Sequence, residues 1–155
     1  KGKDFDTLNV ETNVPLVIGN TEVERSTGEL VAAVRHMRER HRYIIEPVMK
    51  TGGRIALFAV EALKKGDLES VGDMMNINHG LLCAVGVSHE ALERLVDAAR
   101  KSGALGAKLT GGGGGGCMVA LAEEKKLNRV TTAIVRAGGT AFQVRKTDEG
   151  VRVEP

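Results

Sequence analysis

Six consecutive residues, Gly111, Gly112, Gly113, Gly114, Gly115 and Gly116, limit what this chain can fold into more than any other feature. Glycine visits positive φ freely and loses more backbone entropy on ordering than any other residue, so six in a row inside a domain are costly. A flexible linker mixes glycine with serine and has polar flanks. Here the flanks are Ala107-Lys108-Leu109-Thr110 and Cys117-Met118-Val119-Ala120-Leu121-Ala122, both apolar and strand-like. The glycines therefore read as the structured tip of a hairpin, where the backbone approaches something closely.

The chemistry open to such a loop is narrow. A run of glycine satisfies GxGxxG trivially. A phosphate-binding P-loop continues with Gly-Lys-Ser/Thr into a helix. Cys117 and Met118 follow Gly116 and continue as a strand, which excludes that site and disfavours a dinucleotide-binding turn. What remains is a hairpin whose backbone N–H groups, unshielded by side chains, form an anion nest or admit another backbone. Thr110 and Lys108 stand beside it. A strand lysine is ordinarily solvated, so Lys108 on its own carries no assignment.

The rest of the chain supplies the frame. Residues 5–10 and 15–19 read as strands. Ser26 or Thr27 caps a helix with Glu29 in its first turn. Leu30, Val31, Val34 and Met37 follow at helical spacing, and the helix ends in a basic run over 35–42. A second helix is predicted over 44–65, with Ile55, Phe58, Ala59, Ala62 and Leu63 inward and a bend near Thr51-Gly52-Gly53. A third runs from Leu68 to about Val85. A fourth is capped by Ser88 and closed by Gly103. After the glycine hairpin come a helix over 125–137 and strands over 140–145 and 151–154.

With the additional helices removed, the order is βαββαβ. The expectation is an α+β fold. It has a ferredoxin-like core with a mainly antiparallel sheet and inserted helices over about 26–103, in one domain spanning 1–155.

Composition narrows the partners. A net charge of +2 is too small for a nucleic-acid or acidic-membrane footprint. Phe5, Tyr43, Phe58 and Phe142 are the only aromatic residues, which leaves little surface for stacking bases. The longest apolar run is about six residues, far short of a membrane span. Two cysteines, Cys83 and Cys117, without CxxC or histidine at ligand spacing, suggest reduced thiols, a cytoplasmic setting and no metal site.

These residues carry a resemblance. Residues 107–117 resemble the C-terminal glycine motif KLTGAGGGGC of mevalonate kinases, in the galactokinase–homoserine kinase–mevalonate kinase–phosphomevalonate kinase superfamily. Gly112 stands where that motif commonly has alanine. Residues 17–35, with Arg25-Ser26-Thr27, resemble the family's strand-turn-helix segment. Met74-Met75-Asn76-Ile77-Asn78-His79-Gly80-Leu81-Leu82 resembles its helix beside the substrate cleft. Together the similarity covers about residues 8–145.

The resemblance implies the C-terminal half of an enzyme that transfers the γ-phosphate of ATP to mevalonate, with magnesium, in isoprenoid synthesis. It implies that Thr110 and glycines 111–116 line the nucleotide-phosphate side of the cleft. Thr27, Ser26, Asn78 and His79 would lie on the substrate side. The family's Gly-Leu-Gly-Ser-Ser ATP loop, its catalytic aspartate and its magnesium carboxylate are not among these residues. They are expected in an N-terminal half before Lys1, so catalytic residues and metal ligands are expected outside this chain, and the chain alone is expected to be inactive and to hold neither ATP nor magnesium.

Other readings stay open at this point. One is a non-enzymatic ferredoxin-like module that binds a small anion or a protein. Another is a sister kinase acting on phosphomevalonate. A homodimer through the helical insert is also compatible with the sequence.

Overall fold

Alternation builds the first strand: in β1, Leu16–Asn20, the buried positions are Val17 and Gly19, and their neighbours are half-buried. The computed structural model describes residues 10, 12–24 and 26–147. The strands predicted over 5–10 (Val10 apart) and 151–154 lie outside those residues. After β1 come four helices: α1 Thr27–Arg40, α2 Arg42–Lys64, α3 Leu68–Ala84 and α4 Glu90–Lys101. Then follow β2 Gly106–Leu109, β3 Cys117–Leu121, α5 Leu127–Arg136 and β4 Thr140–Val144.

The strands form one sheet in the order β2-β3-β1-β4. Every neighbouring pair is antiparallel, with Ile18 opposite Val119 on one side and Phe142 on the other. This is the order of the expected βαββαβ core, an α+β fold with an antiparallel sheet.

The main core lies between the sheet and the pair α4 and α5. Leu92, Leu95, Val96 and Ala99 of α4 and Leu127, Val130 and Ile134 of α5 meet Val17, Leu109, Met118 and Ala120 of the sheet. Those apolar positions recur at three- and four-residue spacing, which places them on one helix face. Small residues on the sheet bring α5 close: a Cβ on Gly19 would lie 2.9 Å from Ile134 Cγ2. A smaller cluster of Ala62, Val71 and Leu121 joins α2 and α3 to the sheet.

Local signals set most boundaries. Asp67 caps α3, its carboxylate accepting from the Ser70 N–H at 3.0 Å. Gly66, at φ +70°, ends α2 as a left-handed residue. Glycines 52 and 53 stay within α2. Ser26 occupies the N-cap position of α1, but its side chain makes no capping bond.

Two expectations need correcting. Phe58 is not inward: it is 70% exposed, because the buried stripe of α2 runs through Ile45, Ile55 and Ala62. The cap of α4 is His89, whose Nδ1 accepts from the Ala91 N–H, while the Ser88 hydroxyl is drawn to Glu93. No helix among the described residues is long and apolar enough to cross a membrane.

Candidate functional site

The glycine run closes the β2–β3 hairpin, and Thr110 N–H donates to the Cys117 carbonyl at its base. Five of the six glycines take positive φ: Gly111, Gly113, Gly114, Gly115 and Gly116. Gly112 does not, and it is the position where alanine fits the family motif.

The loop is held between two connections. Gly114 N–H donates to the Val87 carbonyl at 2.8 Å, and Gly116 N–H to the Val23 carbonyl at 2.9 Å. Thr21 locks the second contact, since its N–H and hydroxyl both donate to the Gly116 carbonyl. A Cβ on Gly113 would fall 2.0 Å from the Val87 oxygen, and one on Gly115 2.3 Å from the Val23 oxygen. Glycine is therefore required twice over at these two positions, by φ and by space.

Among the described residues, no partner takes the N–H groups of Gly112, Gly113 or Gly115. They border an open recess of about 360 Å³ lined also by Val23, Thr27, Thr110 and Cys117. Thr27 is the first residue of α1, so the free N–H groups and positive dipole end of that helix meet the same recess. A Cβ on Gly112 would touch Thr27 Cγ2 at 2.9 Å, which measures how closely loop and helix approach. The arrangement suits an anion, with N–H donors from a loop and a helix start, and Glu24 is the one carboxylate among the lining residues.

The structure thus brings Thr27, Thr110 and the glycines together, with the exposed Ser26 next to them. Asn78 and His79 lie elsewhere, and apart from each other. Asn78 borders a separate hollow of about 180 Å³ between α2 and α3, shared with Lys108, Ile55, Met74 and Met75. The Lys108 ammonium bonds the Leu109 carbonyl at 2.7 Å, and burial pushes its pKa down.

His79 is 2% exposed and lies behind β2, where its Nδ1 accepts from the Leu109 N–H at 3.2 Å. Burial pushes its pKa below the ordinary value. Glu93 opposes that shift, and Arg100 and Lys108 add to it.

Asn76 was missed by sequence reasoning, and so were Glu93 and Arg100. Asn76 donates to the Leu105 carbonyl and accepts from the Ala107 N–H, both at 3.1 Å. Arg100 donates to the Ala107 carbonyl at 2.7 Å. The available signal was spacing. Asn76 and His79 stand at i and i+3 on one helix face, whereas the adjacent Asn78 and His79 cannot point the same way.

His79, Cys83 and Glu93 bring ligand atoms within 4.8 Å of one another, so, against the sequence expectation, a histidine does stand at ligand spacing from a cysteine, one turn away on α3. That grouping does not suit a metal. Because Nδ1 accepts from Leu109, the neutral ring carries its proton on Nε2, the atom a metal would need.

Comparison with known proteins agrees with this geometry. The family described as GHMP kinases C terminal matches residues 59–140. The mevalonate kinase of Thermococcus gammatolerans is 51% identical over 146 residues, covering 91% of this chain and 43% of that protein. That of Thermococcus sibiricus is 46% identical over 155 residues, covering 97% of this chain and 46% of its own length. The chain thus spans less than half the length of these relatives. Among solved structures, L. major mevalonate kinase in complex with R-mevalonate superposes with a TM-score of 0.87 at 31% identity, over 92% of this chain and 45% of that one. Methanococcus jannaschii mevalonate kinase does so with a TM-score of 0.75 at 30% identity, over 90% and 41%. The family match covers more than half of the chain, with the glycine hairpin and helices α3 to α5 inside the matched residues: the chain belongs to the GHMP kinase C-terminal family.

Proposed function

We propose that this chain is the C-terminal half of an ATP-dependent mevalonate kinase, acting in the cytoplasm in isoprenoid precursor synthesis. The observation that carries the reading is the recess where the free N–H groups of Gly112, Gly113 and Gly115 meet the start of α1 at Thr27. ATP supplies the γ-phosphoryl group, and magnesium the charge neutralisation, of a reaction that depends on positioning and electrostatics.

On this reading, Thr110 and glycines 111–116 form one wall against the nucleotide phosphates. The loop's backbone donors are already fixed by Val87 and Val23, so they need little reorganisation when charge develops. Thr27 and Ser26 face the transferred phosphate and the substrate hydroxyl from the helix start. Asn78, on the hollow with Lys108, borders the substrate side. We assign no catalytic base and no magnesium ligand to this chain, and propose that both reside in an N-terminal half.

The test is mevalonate phosphorylation by the 155-residue chain alone, and then with the N-terminal half of a Thermococcus relative added. No turnover alone and recovery on mixing are expected. Full activity of the chain alone would overturn the division of labour. Phosphorylation of phosphomevalonate in preference to mevalonate would transfer the reading to the sister kinase.

A further inference from the structure

The entering arm of the glycine hairpin and the tip of its loop are held from behind by one connected set of groups. On the entering arm, β2 is an outer strand of the sheet, so one side of it has no strand partner. Helix α3 takes that place. It comes within reach because a Cβ on Gly106 would lie 2.3 Å from the Gly72 carbonyl oxygen, so helix and strand backbones touch. Asn76 then satisfies Leu105 and Ala107, and His79 Nδ1 accepts from Leu109, the last residue of the strand. On the far side, Gly114 N–H is held by the Val87 carbonyl. The next residue, Ser88, donates its hydroxyl to Glu93 Oε1. The same Oε1 lies 3.1 Å from His79 Nε2, though off the hydrogen-bond line. Glu93 thus faces the supports of the entering arm and of the loop tip.

This geometry gives His79 a different role from the one its motif suggests. A side chain 2% exposed, with one nitrogen committed to Leu109 and the other against Glu93, has no free atom for a solute. It does have a direct line to the loop, since Leu109 is bonded to Thr110. Six glycines have much backbone freedom to lose, so a fixed point at the foot of the loop matters more than it would for an ordinary turn. We propose that His79, steadied by Glu93, is a positioning residue for the glycine loop, acting through the Leu109 N–H and not by touching substrate. What the loop binds rests on the kinase reading; the positioning itself does not.

Two measurements separate the two: amide exchange on the chain, and nucleotide affinity after the N-terminal half of a Thermococcus relative is added. In His79→Leu, the Leu109 N–H has no acceptor. Amide exchange at Leu109, Thr110 and Gly114 should quicken about tenfold, while the amides of β1 and β4 keep their protection. Affinity for the ATP analogue AMPPNP should fall about tenfold through loss of loop geometry. In His79→Gln, the amide oxygen can accept from Leu109, so both readouts should return most of the way. Unchanged exchange at Leu109 and Gly114 in His79→Leu would overturn the proposal. So would exchange quickened uniformly over the sheet with no rescue by glutamine, the signature of a merely structural histidine. Failure of the chain to bind AMPPNP even with the N-terminal half of a Thermococcus relative added would sink the kinase reading, and the exchange result would still decide the positioning role.

Discussion

The carbonyl oxygen of Val87 occupies the space a side chain on Gly113 would need: a Cβ there would come within 2.0 Å of it. The same carbonyl accepts from the Gly114 N–H at 2.8 Å. One oxygen therefore both excludes a side chain from the loop and anchors it. The neighbouring Gly112 has neither constraint, since its φ is not positive and its Cβ would meet only the movable Thr27 side chain. Gly113→Ala should destabilise the chain by about 2 kcal/mol or more, from strained φ and displacement of α3–α4. Gly112→Ala should stay within about 1 kcal/mol of the parent, because reduced freedom of the unfolded chain offsets a small shift of Thr27. Urea unfolding of the two variants checks this, and equal losses would contradict it.

Gly72 and Gly106 allow α3 to lie against the outer strand. A Cβ on Gly72 would sit 2.6 Å from the Leu105 carbonyl carbon, a backbone atom that cannot swing aside. Gly72→Ala should therefore push α3 off β2 and break the Asn76 and His79 bonds together. The expected signature is loss of amide protection at Ala107 and Leu109 at once, with a stability loss of about 1–3 kcal/mol. Protection retained at both amides would show that α3 can shift without releasing the strand.

Much of this was legible in the residues, and the exceptions have physical causes. Strand-like flanks made the glycines a hairpin, and apolar spacing placed α4 and α5 on the sheet. Periodicity did not reveal that α2 has only a narrow buried stripe, because Phe58 keeps helical spacing with Ile55 and Ala62 whether or not anything covers it. Ser88 has the right type for a cap, yet Glu93 competes for its hydroxyl and His89 takes the position. The site divided in the same way. Thr27 and the glycines converge because two connections bring them together. His79 and Asn78, adjacent in sequence, diverge because adjacent helix positions face about 100° apart. Asn76 and Glu93 left no motif, since their role is set by a strand edge that exists only after folding.

The exposed and buried faces of the helices should respond oppositely to truncation. Leu92 is fully buried between α4 and the sheet, so Leu92→Ala should cost about 2–5 kcal/mol. Phe58, 70% exposed, should cost less than about 0.5 kcal/mol as alanine despite its larger side chain. Thermal unfolding of both variants checks the assignment, and a large loss at Phe58 would show that something covers that face in solution.

Acid should weaken the fold through His79. Its folded pKa lies below the ordinary 6.5, first because burial disfavours the cation. Glu93 raises it, while Arg100 and Lys108 lower it further. The unfolded histidine therefore holds a proton at pH values where the folded one does not, and stability rises with pH across that interval. The contribution is complete above 6.5 and is lost as pH falls through the depressed folded value, where protonation places an N–H against the Leu109 N–H. Glu93, also depressed, adds a loss of the same sign at lower pH, below its ordinary 4.5. Stability measured by urea unfolding between roughly pH 5 and 7.5 should therefore climb and then level. His79→Gln keeps the acceptor but cannot titrate, so its profile should be flatter over the same range. A variant profile as steep as the parent's would assign the acid sensitivity to other groups.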